Sequence, residues 1–169
     1  MNVTQKYLKE AVTYLPESGK FIWKTRPLSH FKSSRSCNAW NARFSGKSTG
    51  ELDSGGHLQV KLGGKKYAAH RLAFLYVTGS VPEKVDHIDQ DKKNNSFHNL
   101  RECTSSQNCA NRFSKGVYPT KSGKWRSQIC FDYKIKHLGT FPTEKKAKLA
   151  YMEAHKKYFK EYSPYFFVV

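Results

Sequence analysis

Asp86 and His87 stand side by side at the end of a short apolar run, Val85-Asp86-His87-Ile88, and Asn99, Arg101 and Asn108 follow. The carboxylate of Asp86 and the amide oxygen of Asn108 are hard donors suited to Mg²⁺, or Mn²⁺ in its place. A neutral His87 imidazole can take a proton from water near neutral pH. Cleaving a phosphodiester requires an activated water, neutralisation of the added negative charge and a stabilised leaving oxygen. These residue types supply that chemistry around one divalent cation. With so few protein ligands, water and the scissile phosphate must complete the coordination. The Asn99 amide both donates and accepts, so it can tie the following loop to the backbone near His87, or it is a simple turn asparagine. Arg101 can contact a phosphate or the transition state, or be a solvated strand residue. Asp89 and Asp91 have the look of a calcium loop, but its glycine and terminal glutamate are missing.

Elements must bring these groups together. Val85 to Ile88 reads as a strand that delivers Asp86 and His87, and Arg101 to Cys103 as its return. By alternation Asp86 and His87 point to opposite sides, so the strand must end or twist there. Thr104-Ser-Ser-Gln107 has capping-box form and starts a helix that carries Asn108 in its first turns. Upstream, Thr4 to Leu15 reads as a helix with Leu8, Ala11, Val12 and Leu15 as its apolar stripe. Phe21 to Trp23 is a strand. Residues 25–56 read as an irregular, basic loop in which Arg26 and Arg43 are candidate DNA contacts. His57 to Ala69 is a hairpin turning at Gly63-Gly64, and His70 to Thr78 a short helix stopped by Gly79. Downstream, Lys115 to Lys121 reads as linker and edge strand. Trp125 to Phe131 is a strand, residues 134–141 return beside it, and Pro142-Thr143 opens a helix whose stripe is Ala147, Ala150, Tyr151, Ala154 and Tyr158. The apolar tail from Ser163 to Val169 is expected to dock.

The chain carries 30 Lys and Arg against 13 Asp and Glu in 169 residues, a net charge of +17. Residues 1–69 hold 12 basic and 4 acidic side chains, residues 112–169 hold 13 and 4, and residues 70–111 hold 5 of each. Two basic arms thus flank a neutral centre, which points to a polyanionic partner. No stretch is apolar enough to span a membrane, and a signal-peptide core is missing, so the expectation is a soluble cytoplasmic protein with no membrane partner. Cys37, Cys103, Cys109 and Cys130 include no Cys-x-x-Cys pair and read as free thiols.

The order His70-Arg71-Leu-Ala, Val-Asp86-His87-Ile-Asp89, Asn94-Asn95, Asn99-Leu-Arg101 and Ser106-Gln107-Asn108 closely resembles the HNH endonucleases of the ββα-metal fold, most strongly the phage-borne, homing-type branch. The resemblance implies Asp86 and Asn108 as metal ligands, His87 as general base, and Asn99 as the asparagine that braces the loop and the His87 backbone. Gln90 falls where a glycine is usual. Gly116-Val-Tyr, Gly123-Lys-Trp-Arg-Ser-Gln-Ile, His137-Leu-Gly-Thr-Phe and Thr143-Glu-Lys-Lys-Ala resemble the AP2 DNA-binding domain, which lays a three-stranded sheet in the DNA major groove. Lys124, Arg126, Gln128, Lys134 and His137 are its implied DNA contacts, and His70 and Arg71 those of the central stretch. If Leu138 faces the core, alternation puts Lys136 beside it and Ile135 outside, so either the strand is bulged or that face is degraded.

The expectation is therefore an α+β protein. Residues 1–69 form an N-terminal helix and hairpin extension, residues 70–113 a ββα-metal catalytic core, and residues 114–169 an AP2-like sheet plus helix. Its partner is double-stranded DNA, and its setting a phage-infected bacterial host. The leading function is a metal-dependent DNA endonuclease that nicks one strand as a monomer. The rivals are a non-catalytic AP2-type DNA-binding protein with the HNH unit as scaffold, and a zinc-stapled module using Cys103, Cys109 and histidines.

Overall fold

The computed structural model describes residues 3–113 and 116–166. The chain divides into two compact units, Met1–Glu102 and Cys103–Val169, so the division falls inside the stretch expected as one catalytic core.

In the first unit, α1 (Gln5–Ala11) is capped by Thr4, whose hydroxyl accepts from the Tyr7 N–H. The helix stops at Ala11, four residues short of the sequence expectation. Val12-Thr13-Tyr14-Leu15 instead forms β1 (Val12–Leu15), paired antiparallel with β2 (Lys20–Trp23) from Val12↔Trp23 to Leu15↔Lys20. β-branched and aromatic side chains favour the strand. Alternation then buries Val12 and Tyr14 and leaves Leu15 exposed. Residues 25–56 are also more ordered than expected. Ser33 and Ser36 form a reciprocal capping box that starts α2 (Ser34–Phe44), and β3 (Ser48–Thr49) adds to β2. Only Cys37 of α2 is buried, with Trp40 and Phe44 packed at the core margin, so the helix shows little apolar periodicity in its sequence.

Strands β4 (Glu51–Leu52), β5 (Leu58–Leu62) and β6 (Lys65–Ala68) form an antiparallel sheet that feeds directly into α3 (Ala69–Thr78). Gly79, at φ 80, closes that helix in the left-handed conformation that glycine adopts freely. Then come β7 (Lys84–His87) and β8 (Leu100–Cys103), a two-stranded sheet. The unit's core is Leu8, Val12, Phe21, Val60, Leu62 and Leu72, all at most 1% exposed. Burying each such side chain stabilises the unit by about 1.5–3 kcal/mol.

The β1–β2 turn does more than join strands. Phe97 N–H donates to the Pro16 carbonyl at 2.7 Å, and the Tyr14 hydroxyl donates to the Asn95 carbonyl at 2.7 Å. Gly19, at φ 69, lies so close that a Cβ there would collide with the Asn95–Ser96 backbone. The N-terminal hairpin is thus the cradle of the loop between β7 and β8.

The second unit begins with α4 (Ser105–Ala110), started by the capping box of Thr104 and Gln107 read from the sequence. β9 (Val117–Pro119), β10 (Trp125–Phe131) and β11 (Lys134–Phe141) form an antiparallel sheet in the order β11-β10-β9, backed by α5 (Glu144–Phe159), which Thr143 caps. The register of β10 with β11 shifts between Ser127↔Gly139 and Gln128↔His137, a bulge that leaves Leu138 unpaired. Leu138 therefore packs on the core while Ile135 is 70% exposed, and Lys136 extends over the Phe131 and Tyr158 rings. The buried stripe of α5 is Ala147, Tyr151, His155 and Phe159, rotated from the expected one. Ala150, Ala154 and Tyr158 flank it at intermediate exposure. In the tail, Ser163 is buried and Tyr165 packs on Tyr151 and His155. Residues 167–169, like Lys115, lie outside the described residues.

Candidate active site

His87 is the last residue of β7 and is 5% exposed. Its Nε2 lies 3.3 Å from the Asn95 side-chain oxygen. With that oxygen as acceptor, Nε2 carries the proton and the basic lone pair sits on Nδ1. Asn95 is 1% exposed and cannot swing away, because its amide nitrogen donates to the Lys93 carbonyl and its own carbonyl accepts from Tyr14. Burial pushes the His87 pKa down, ahead of the Asn95 hydrogen bond and the nearby Asp89 and Asp86 charges, which act the other way. His87 is therefore held in the neutral, base-competent form at neutral pH.

Asp86 is 6% exposed. Arg101, opposite it on β8, donates to Asp86 Oδ2 from both Nε (3.0 Å) and Nη2 (2.8 Å). The pair places a buried carboxylate next to the imidazole with its charge balanced by a guanidinium. A hard oxygen donor in that position fits a divalent cation that keeps several waters. Among the described residues no group of three or more His, Cys, Asp or Glu side chains is placed to hold a metal ion.

The loop from Ile88 to Ser96 is closed by Asn99. Its side-chain oxygen accepts from the Asp89 N–H, its amide nitrogen donates to Asp89 Oδ1 and to the Asn94 carbonyl, and its backbone carbonyl accepts from Ile88 N–H. Asp89 also accepts from the Asn94 side chain and the Asp91 N–H. Burial works to raise the Asp89 pKa, but these hydrogen bonds outweigh it and hold the carboxyl below its usual value. Gln90 takes φ 66 at the turn that ends β7, the left-handed conformation a glycine would accept without strain.

The remaining expected residues fall into distinct settings. Asn108 lies on α4, in the second unit, at intermediate exposure. Arg26 is not a surface contact. It is 8% exposed, its guanidinium lies over the Trp40 and Phe31 rings at 4.8 and 4.9 Å, and it donates to the Tyr7 hydroxyl and His30. Aromatic faces and neutral acceptors stabilise a cation taken from water, so the sequence reading of Arg26 as a DNA contact is corrected to a packing role. Arg43 is exposed, and Arg71 donates to the Glu83 carbonyl. His70 is no phosphate-neutralising cation. Burial, with the nearby His87 and His57 second, pushes its pKa down to about 3, and its Nδ1 is buried without a hydrogen bond. Lys124, Arg126 and His137 are exposed and Gln128 is half-buried. The register pairs Gln128 with His137 but Lys134 with Phe131, whose ring packs on α5. Lys134 therefore departs from the outer row.

Three supporting residues escape a reading by spacing alone. Asn95 stands in the Asn94-Asn95 pair, but nothing local says that the second asparagine reaches the imidazole. Tyr14 and Gly19 lie in a different segment, and their contact with Asn95 exists only in the fold.

Residues 67–110 match the model of a family described as HNH endonuclease. A curated relative, an uncharacterized HNH endonuclease of Acanthamoeba polyphaga mimivirus, is 30% identical over 105 residues, covering 58% of this chain and 56% of the relative. The chain thus spans about half the length of the curated relative it matches. No solved structure matches the chain. Among the described residues, no helix is long and apolar enough to cross a membrane.

Proposed function

We propose that this chain is a metal-dependent DNA endonuclease that hydrolyses phosphodiester bonds, and that a monomer, with one site, nicks one strand of double-stranded DNA. The observation that carries the reading is the buried His87, neutral and fixed in one tautomer by Asn95, directly beside the buried carboxylate of Asp86. The HNH family match over 67–110 covers the same residues. His87 takes a proton from the attacking water through Nδ1 as the new P–O bond forms. Asn99 keeps the loop closed so that the imidazole stays aligned. Arg101 balances Asp86 and stands ready to meet phosphate charge. Asp86 would hold the divalent cation, Mg²⁺ or Mn²⁺, which would supply positive charge against the phosphate and the leaving 3′ oxygen, and the family resemblance names Asn108 as a further ligand.

The second unit we read as the AP2-like DNA-binding module, with Arg126, Gln128, His137 and Lys124 on the groove-facing side. The basic arms supply most of the affinity, so binding falls steeply with salt. We read its setting, on the resemblance to phage-borne, homing-type nucleases, as the cytoplasm of an infected bacterium. The test is supercoiled plasmid incubated with Mg²⁺ or with chelator. Open-circle product only with Mg²⁺, with 5′-phosphate and 3′-hydroxyl ends, is the expected result. Binding without any cutting on long mixed-sequence DNA would favour the non-catalytic DNA-binding reading instead.

A further inference from the structure

The turn that joins β4 to β5 brings a second histidine to the catalytic one. Asp53 fixes this turn on three donors: its Oδ1 accepts from the Gly55 and His57 N–H groups at 2.9 Å each, and its Oδ2 from the Gln59 side chain at 2.8 Å. His57 Nδ1 lies 3.8 Å from Asp53 Oδ1, and about a third (34%) of the His57 side chain remains exposed. Its ring centroid is 6.3 Å from that of His87 and 5.5 Å from that of His70, and His70 and His87 are 5.1 Å apart. Lys92, in the loop after β7, donates to the Gly55 carbonyl at 2.8 Å and clips the turn to that loop. Asp53 and His57 both lie outside the stretch that matches the family model.

Resting on the nuclease reading above, we infer that His57 is a second catalytic residue, the general acid that protonates the leaving 3′ oxygen. Of the three clustered histidines, only His57 combines a carboxylate partner with an accessible ring. His70 is half-buried, with a buried Nδ1 that has no hydrogen-bond partner and no carboxylate beside it, and His87 is 5% exposed and held on Asn95. At this spacing a phosphate does not fit between the imidazoles of His57 and His87, but one seated across their edges can be reached from both rings over hydrogen bonds of about 2.6–3.2 Å. The step balances. Water oxygen bonds to phosphorus and its proton passes to His87. The P–O3′ bond breaks and its oxygen takes one proton from the His57 imidazolium, whose positive charge Asp53 balances and which is left as neutral imidazole. Exchange with solvent then resets both rings. Asp53 is a positioning residue that holds the ring of His57 toward this space.

The experiment first maps a nick made by the wild-type chain. It then compares a duplex oligonucleotide carrying that linkage with one whose 3′ bridging oxygen is sulfur, both with Mn²⁺. A thiolate leaves without a proton. His57→Ala is expected to slow cleavage of the oxygen linkage about 100-fold and to cut the sulfur linkage within about threefold of wild type. His57→Gln, which keeps the bulk, behaves the same if the alanine variant folds poorly. Asp53→Asn shows a smaller loss with the same rescue. His87→Ala is slow on both. Equal losses on oxygen and sulfur, or no loss, overturn the inference while leaving the nuclease reading intact. A wild-type chain that cuts nothing under any metal condition overturns both.

Discussion

Replacing Asn95 with alanine tests how much of the catalysis depends on the support behind His87. The change removes the acceptor of His87 Nε2–H and the donor to the Lys93 carbonyl at a position 1% exposed. At 3.3 Å the histidine bond sits at the weak end, so its direct loss is about 1 kcal/mol. The larger effect is that a buried N–H loses its partner, for about 1–3 kcal/mol. The imidazole then lowers its energy by turning or by moving its proton to Nδ1, and either change removes the base from the water. If most of that energy falls on the competent conformation, the rate drops by about 10- to 100-fold. Stability falls by about 2–3 kcal/mol. DNA affinity stays near wild type because Asn95 is buried. The assay is nicking of supercoiled plasmid, beside DNA binding and thermal melting. In a background of His87→Ala the Asn95→Ala change costs no further rate, since a base that is gone cannot be misaligned. Wild-type nicking by Asn95→Ala, or full additivity with His87→Ala, would refute the reasoning.

Other perturbations follow from the same contacts. Gln90→Gly releases a left-handed φ of 66 and, after the entropy of the freer unfolded chain, raises stability by about 0–1 kcal/mol in denaturant melts without loss of nicking. Gly19→Ala forces the β1–β2 turn off the Asn95–Ser96 backbone, so nicking falls at least 10-fold while DNA binding holds. His155, buried beside Tyr151 and Phe159, has its pKa pushed down to about 4 by burial. The folded state then binds fewer protons than the unfolded one. Stability is full above about pH 6.5, declines as pH falls toward 4 and flattens below that, by on the order of 3 kcal/mol in all. His155→Phe flattens this slope in melts recorded across the same range.

What the sequence made legible was local. The capping box at Thr104, the glycine stop at Gly79 and the strand that delivers Asp86 and His87 depend on neighbouring residues, and each stands in the structure where spacing put it. The errors came where tertiary pairing overrode a local pattern. Val12 and Leu15 fit a helical stripe, yet pairing with β2 pulled them into a strand. The α2 segment carries too few apolar residues to announce a helix, and its start rests on two serines. Arg26 looked like a surface cation because arginine usually is one, and only the surrounding aromatic rings explain its burial. At the candidate site, Asp86, His87, Asn99 and Arg101 were visible as residue types at a spacing. The support behind them was not. Asn95 stood in the quoted motif without its reach to the imidazole, and Tyr14, Gly19 and His57 come from separate segments whose approach is a property of the folded chain.

The most direct test of the central claim is the single-turnover nicking rate of His87→Ala on supercoiled plasmid with saturating Mg²⁺, set beside its DNA affinity and its melting temperature. The account predicts a loss of at least 1000-fold with folding and binding retained, since the base is removed and little else changes. A folded His87→Ala chain that nicks within about tenfold of wild type would contradict it and move the chemistry to another group.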